Sequence, residues 1–147
     1  MKRSTLKIIH PFAGGIALLT ILTFWITTLW SKIDGNPEFI LNVKTGILYG
    51  MVILIPAMIT VGASGFKMGG KSTYPLIVSK KRRMPIIGIN GVFILLPCAV
   101  SLHWMASSSN FSHAYYFIQW IEIIAGALNI TLLSLSMRDG LKLTKKI

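Results

Sequence analysis

The stretch AYYFIQWIEIIAGALNITLLSLSM, residues 114–137, decides the fold. It is apolar almost throughout, and Glu122 is its one charged residue. Roughly 20 predominantly apolar residues in a helix cross a bilayer core, so this stretch predicts a transmembrane helix. A strand of a membrane barrel would instead alternate with a period of two over about ten residues.

Three further apolar runs have the same character. Together the four runs predict helices at about residues 11–31, 38–66, 85–106 and 112–137 within a single membrane domain, residues 1–147. The chain is 53% hydrophobic and only 13% charged, whereas a soluble domain carries about 25% charged residues. We therefore expect an all-α, antiparallel four-helix transmembrane bundle.

The distribution of positive charge predicts the orientation. The net charge is +11, and all basic residues except Lys32 and Lys44 lie before the first run, between the second and third, or after the fourth. They are Lys2, Arg3, Lys7, Lys67, Lys71, Lys80, Lys81, Arg82, Arg83, Arg138, Lys142, Lys145 and Lys146. Because positive loops stay in the cytoplasm, both termini and a basic loop at 67–84 are expected there.

The basic residues also indicate the partner. They are not interleaved with stacking aromatic residues, as they would be in a protein that binds single-stranded nucleic acid, so nucleic acid is not an expected partner. Lys80, Lys81, Arg82 and Arg83 are instead expected to anchor the loop on anionic headgroups of the bilayer, at about 1 kcal/mol each.

Local sequence signals predict two of the connections between the helices. Asn36, Pro37 and Glu38 read as an N-cap, a proline at the first helical position and an acid in the first turn, so the second helix is expected to begin at Pro37. The short polar segment at 107–110 predicts a tight turn between antiparallel third and fourth helices.

Glu122 is the leading candidate for a functional residue, because ionisable groups at membrane depth are costly and usually functional. Gln119 and Asn129 share its helical face through the spacings i−3 and i+7. Lys44 lies at a matching depth on the second helix, and we predict an ion pair between it and Glu122. Asn90 on the third helix is expected to hydrogen-bond to Asn129. These five residues form the predicted intramembrane binding site.

The three histidines suggest a second hypothesis. His10 is expected at the cytoplasmic edge of the first helix, and His103 and His113 at the outer edges of the third and fourth. Imidazole binds haem iron and copper, and thioethers suit copper(I), so haem b or copper held by these histidines, with methionines nearby, is an alternative. No pair drawn from the two edges could span one haem.

Signatures of soluble enzymes are absent from the sequence, including GxSxG, HExxH and the phosphate-binding loop. The single cysteine, Cys98, allows neither an internal disulfide nor a CxxC motif. Gly46 and Gly50 form a GxxxG pair, which permits close helix approach within the chain, in a homo-oligomer or in a larger membrane complex.

Several segments together resemble a group of uncharacterised bacterial inner-membrane proteins of similar length. The resemblance implies a bacterial source, an inner-membrane location and the four-helix layout, and it implies no activity. The segments that carry it are His10-Pro11-Phe12-Ala13-Gly14, Lys44-Thr45-Gly46, residues 62–70, Lys81-Arg82-Arg83-Met84-Pro85, Gln119, Glu122, Ala125-Gly126, Asn129 and Arg138-Asp139-Gly140-Leu141.

A weaker likeness concerns membrane proteins of the glutathione-transferase type. Arg83, Asn90 and Pro97 echo the Arg…Asn…Glu…Pro run of that family, but no glutamate stands between Asn90 and Pro97. The leading hypothesis is therefore a non-catalytic membrane protein whose polar site binds a small polar or ionic species or stabilises a complex. A redox-associated subunit and a small membrane enzyme are the alternatives.

Overall fold

The computed structural model describes residues 3–145, without the side chain of Arg3. Long helices make up nearly all of this range. Helix α1 is Arg3–Asp34 and α2 is Pro37–Gly69. The third span is α3, Pro75–Asn90, followed by a π-helical turn, Gly91–Leu95, and α4, Leu96–Ser107; α5 is His113–Thr144. Four helices are long and apolar enough to cross a membrane, and residues 3–145 contain no strand.

The connection between α1 and α2 follows the predicted signals. The Asn36 side chain accepts a hydrogen bond from the backbone N–H of Glu38 at 2.9 Å, and Pro37 is the first helical residue. Gly35 precedes the cap with φ of 72°, a conformation that favours glycine. The predicted start of the second helix at Pro37 is confirmed.

The predicted basic loop at 67–84 is wrong in extent. Helix α2 runs to Gly69 and α3 begins at Pro75, so the connection is confined to residues 70–74. Proline is well suited to the first position of a helix, and the following lysines and arginines are good helix formers. Helix α5 also continues to Thr144, beyond residue 137, where the fourth helix was predicted to end.

The third span changes its hydrogen-bonding pattern beside Pro97. The backbone N–H of Leu96 donates to the carbonyl of Gly91, five residues earlier. Proline has no N–H, and its ring clashes with the carbonyl four residues before it, so one wider turn accommodates the chain. Such π-helical turns inside α-helices occur frequently at functional sites.

The outside of the bundle is apolar. Phe12, Tyr49, Phe93 and Trp104 are among the large side chains that are mostly exposed, which is the arrangement expected of a protein whose solvent is lipid.

Much of the expected positive charge lies at the end of the bundle that carries residues 70–74, here called the basic end. Lys2, the Arg3 side chain and Lys146, which were also predicted to contribute positive charge, lie outside the described residues.

The two glycines of the GxxxG pair differ in their surroundings. A Cβ at Gly50 would lie 2.5 Å from Cζ of Phe24 on α1, whereas a Cβ at Gly46 would meet nothing within 4 Å. Gly50 is therefore used for close packing between α1 and α2 within the chain.

We predict that Gly50→Ala lowers the free energy of unfolding by about 1–3 kcal/mol, because the added methyl group overpacks the contact with Phe24. Gly46→Ala is the matched control and should be neutral or stabilising, by up to about 1 kcal/mol, since alanine is the better helix former. Thermal unfolding in detergent micelles measures both. Equal effects of the two substitutions would contradict the packing role of Gly50.

Candidate functional site

The polar face of α5 is buried as a unit. Gln119, Glu122, Gly126 and Asn129 lie on the same side of the helix, and all are buried among the other helices. In a membrane, polar side chains turned toward protein find hydrogen-bond partners that lipid tails cannot supply. Each of the three other spans contributes such partners to α5.

Lys44 of α2 binds Glu122 in the bundle interior. Its Nζ lies 2.6 Å from Oε2 of Glu122, and it also lies 3.3 Å from the hydroxyl of Thr28 on α1. The Lys44 side chain is 0% exposed, while the Glu122 side chain retains 11%. The predicted ion pair is confirmed as a contact, and only its carboxylate side remains accessible.

Asn90 and Asn129 join the third span to α5. The Asn90 amide group donates to Oδ1 of Asn129 at 2.8 Å and to the carbonyl of Ala125 at 2.9 Å. The Asn129 amide group in turn donates to the carbonyl of Ile87 at 3.3 Å. The predicted hydrogen bond between the two asparagines is therefore present, with two backbone carbonyls added to it.

Trp25 of α1 is a site residue that the sequence analysis missed. Its indole N–H donates to the carbonyl of Ile123 at 2.9 Å. A Cβ at Gly126 would lie 3.0 Å from Cδ1 of the same ring, so Gly126 makes room for the indole. The position of Gly126 on the polar face of α5 was the sequence signal that a large group packs there.

Gln119 lies at the outer edge of this network. Its amide group is 3.4 Å from the Tyr115 hydroxyl, and its Oε1 is buried without a hydrogen-bond partner among the described residues. Gln119 thus belongs to the polar face without contacting Lys44 through a hydrogen bond.

A long apolar groove lies beside the ion pair, between α2 and the third span. Its volume is about 560 Å³. The wall residues run from Ile47 to Phe66 on α2 and from Met84 to Ala99 on the third span, which corresponds to about 28 Å and about 22 Å of helix. Ile59, Phe66 and Val92 at the rim are exposed, so the groove opens sideways.

Polar groups are few in the groove wall. Thr28, Glu122 and Asn129 are the polar side chains that line it, whereas Lys44, Gln119 and Asn90 are not among the lining residues. Of the five residues predicted to form the binding site, two therefore reach the groove and three lie behind it. Because Glu122 is already paired with Lys44, the groove presents no unbalanced charge.

At the basic end, three of the four predicted membrane anchors also contact other parts of the protein. Arg83 donates to Oδ2 of Asp139 at 2.6 Å, and Asp139 is 2% exposed. Lys81 donates to the carbonyl of Gly70. Lys80 is partly buried, and a Cβ at Gly140 would lie 3.1 Å from its Nζ.

Arg82 is the one of the four that is exposed. Residues 80–83 lie within α3, which turns part of its surface toward the bundle, and the contact of these four residues with anionic headgroups stays a prediction. The pairing of Arg83 with Asp139 was not predicted from the sequence. The sequence signal for this pairing was the position of Asp139 as an acidic residue among basic residues.

The three histidines have different surroundings. His10 lies 2.8 Å from the Ser64 hydroxyl through its Nδ1, His103 is partly buried, and His113 is exposed. Within residues 3–145, no group of three or more His, Cys, Asp or Glu side chains is placed to hold a metal ion. The residues that echo a glutathione-transferase run are engaged elsewhere, since Arg83 binds Asp139 and Asn90 binds Asn129.

Comparisons of the chain with protein-family models, with curated proteins and with solved structures find no match.

We predict that Lys44→Met and Glu122→Leu each lower the free energy of unfolding by about 3–5 kcal/mol, because each leaves a buried charge without its partner. The double variant should lose far less than the sum, since it leaves no unpaired charge. Unfolding in mixed micelles measures this coupling, which should exceed the ~0.5 kcal/mol typical of independent sites.

Lys145→Met, at an exposed position, is the control for the loss of a lysine and should be near neutral. Additive effects of the two core substitutions would show that the pair does not stabilise the bundle.

Proposed function

We propose that this protein is a non-catalytic membrane protein that binds a chain-like amphipathic molecule of the lipid class inside the bilayer. The groove between α2 and the third span carries the proposal. Its volume of about 560 Å³ falls within the ~300–1,000 Å³ of typical ligand pockets. A volume of that size spread over about 22 Å or more of helix suits an extended chain better than a compact ligand.

The composition of the wall supports an apolar chain. Met51, Met58 and Met84 line the groove, and the unbranched, polarizable methionine side chain adapts to irregular partners. The sideways opening allows a molecule to enter from the surrounding lipid without crossing water.

The polar residues take a positioning role in this proposal. From the sequence, the polar site was expected to bind a small polar or ionic species or to stabilise a complex. Lys44 lies 2.6 Å from the Glu122 carboxylate and neutralises it. The pair instead fixes α2 on α5, while Asn90 and Asn129 fix the third span on the same helix. The groove is the space that remains between the two helices held in this way.

We predict that Gly88→Leu weakens binding of a single-chain lipid about ten-fold, equivalent to about 1.4 kcal/mol. Gly88 lines the groove, and a Cβ there would meet nothing within 4 Å, so leucine fills the groove without displacing the wall. Native mass spectrometry of detergent-purified protein titrated with lysophosphatidylcholine measures the bound lipid. Gly62→Leu, which fills the groove from α2, should act in the same way.

Gly46→Leu is the matched control. Gly46 has the same open surroundings as Gly88 but does not line the groove, so lysophosphatidylcholine binding should be unchanged. Equal retention of the lipid by the Gly88→Leu and Gly46→Leu variants would refute the groove as the binding site.

We further propose that the bundle is antiparallel, with both termini on the cytoplasmic side of a bacterial inner membrane. Contacts between α1 and α2 support the antiparallel order, because late residues of one helix meet early residues of the other: Trp30 packs on Phe39, and His10 bonds to Ser64. The concentration of positive charge at the basic end supports the orientation, and the resemblance to bacterial inner-membrane proteins supports the location.

Cysteine labelling tests this topology. In a Cys98→Ala background, Asn110→Cys should react with a membrane-impermeant maleimide added to intact spheroplasts, and Thr73→Cys should react only after lysis. Both positions are exposed and lie in the connections between spans. The reverse pattern would place the basic end outside and overturn the proposed orientation.

A further inference from the structure

The basic end carries more cations than the chain can neutralise. The sequence holds four acidic residues. Asp34 and Glu38 flank the connection between α1 and α2, Glu122 binds Lys44, and Asp139 is shared by Arg83 and Arg138. No carboxylate within residues 3–145 pairs with the remaining basic residues near the 70–74 connection, which are Lys67, Lys71, Lys80, Lys81 and Arg82. Their counter-charge must come from outside the chain.

Two of these lysines line a separate cavity. A notch of about 530 Å³ at the α2–α3 connection is lined by Lys67, Lys71 and Ser72 together with Leu6, Met68, Gly69, Gly70 and Ile77. Lys67 and Lys71 are both exposed, so their ammonium groups are available to a ligand. The notch therefore combines positive charge with an apolar side.

The notch follows the groove along one face of α2. Gly69 of the notch wall lies three residues after Phe66, the last groove residue on α2, so the two residues fall on the same side of the helix. Lys81 lies three and four residues before Met84 and Pro85, so it falls on the groove face of α3, and it bonds to the carbonyl of Gly70 in the notch wall. A molecule whose chain lies in the groove would therefore bring its polar end to the notch.

From this continuity we infer that the ligand is an anionic phospholipid, whose phosphate is held at the notch by Lys67 and Lys71 while one of its chains occupies the groove. The inference rests on the proposed function and adds the class of headgroup. Lysine binds phosphate as a compact point charge, and the surface of an anionic leaflet supplies such phosphates at the depth where helix ends emerge.

The test compares lysophosphatidylglycerol with lysophosphatidylcholine of the same chain length, by native mass spectrometry of the full-length protein. The wild type should prefer the anionic lipid. The double substitution of Lys67→Gln and Lys71→Gln should reduce that preference roughly ten-fold or more, as expected for two basic residues beside an anionic headgroup.

A matched control separates a defined site from general positive charge. Lys142→Gln with Lys145→Gln removes the same charge from exposed positions near the end of α5, outside the notch lining, and should leave the preference within about two-fold. An equal loss in both double variants would overturn the inference in favour of a diffuse basic surface. Displacement of lysophosphatidylglycerol by an equal concentration of inorganic phosphate would overturn it in favour of a site for free phosphate.

The groove variant distinguishes the inference from the proposed function. Gly88→Leu should weaken binding of both lipids and leave their ratio unchanged, because it removes room for the chain and not the charge at the notch. If Gly88→Leu leaves both affinities intact while the notch variant still abolishes the preference, the headgroup site stands and the chain-binding function fails.

Discussion

The absence of water inside a bilayer is the constraint on which this structure depends. A lysine and a glutamate cannot be left unpaired at membrane depth, and Lys44 and Glu122 meet at 2.6 Å. The same requirement applies to the Trp25 indole and to the Asn90 amide group, which both donate to carbonyls of α5. One helix, α5, thus supplies a hydrogen-bond partner to each of the three other spans.

This arrangement explains the position of the groove. Helix α2 is tied to α5 by Lys44, and the third span is tied to α5 by Asn90 and Asn129. At the basic end, Lys81 of the third span donates a hydrogen bond to the carbonyl of Gly70, which directly follows α2. Among residues 3–145, this is the one side-chain hydrogen bond between the third span and the end of α2. Gly62 and Gly88 line the groove from its two sides, and a Cβ at either position would meet nothing within 4 Å.

The sequence predicted the features that follow from position along a single helix. Depth increases by about 1.5 Å per residue, so the meeting of Lys44 with Glu122 and of Asn90 with Asn129 could be predicted without coordinates. The cap at Asn36 followed from local hydrogen bonding in the same way. These are properties of one or two helices taken by themselves.

The features that the sequence did not predict depend on how the helices are rotated against each other. In water, an apolar stripe shows which face of a helix packs inward. In a membrane, the face turned to lipid is as apolar as the face turned to protein, so the sequence contained no signal for the groove or for the contacts of α1. The packing of Trp25 on Gly126 and of Phe24 on Gly50 shows that α1 is part of the site. Likewise, a run of lysines and arginines reads equally well as a loop or as a helix.

An open apolar groove has different consequences in lipid and in water. In water the hydrophobic effect would close it, but between membrane helices that driving force is absent, and chains of the surrounding lipid fill the space. Filling alone selects no particular molecule. Selection requires polar groups at the ends of the groove, and this chain has them: Glu122 with Lys44 beside one end, and Lys67, Lys71 and Lys81 beside the other. Because the first pair is neutral and the second group is positive, the groove has a polarity, and an anionic headgroup is stabilised at the basic end only.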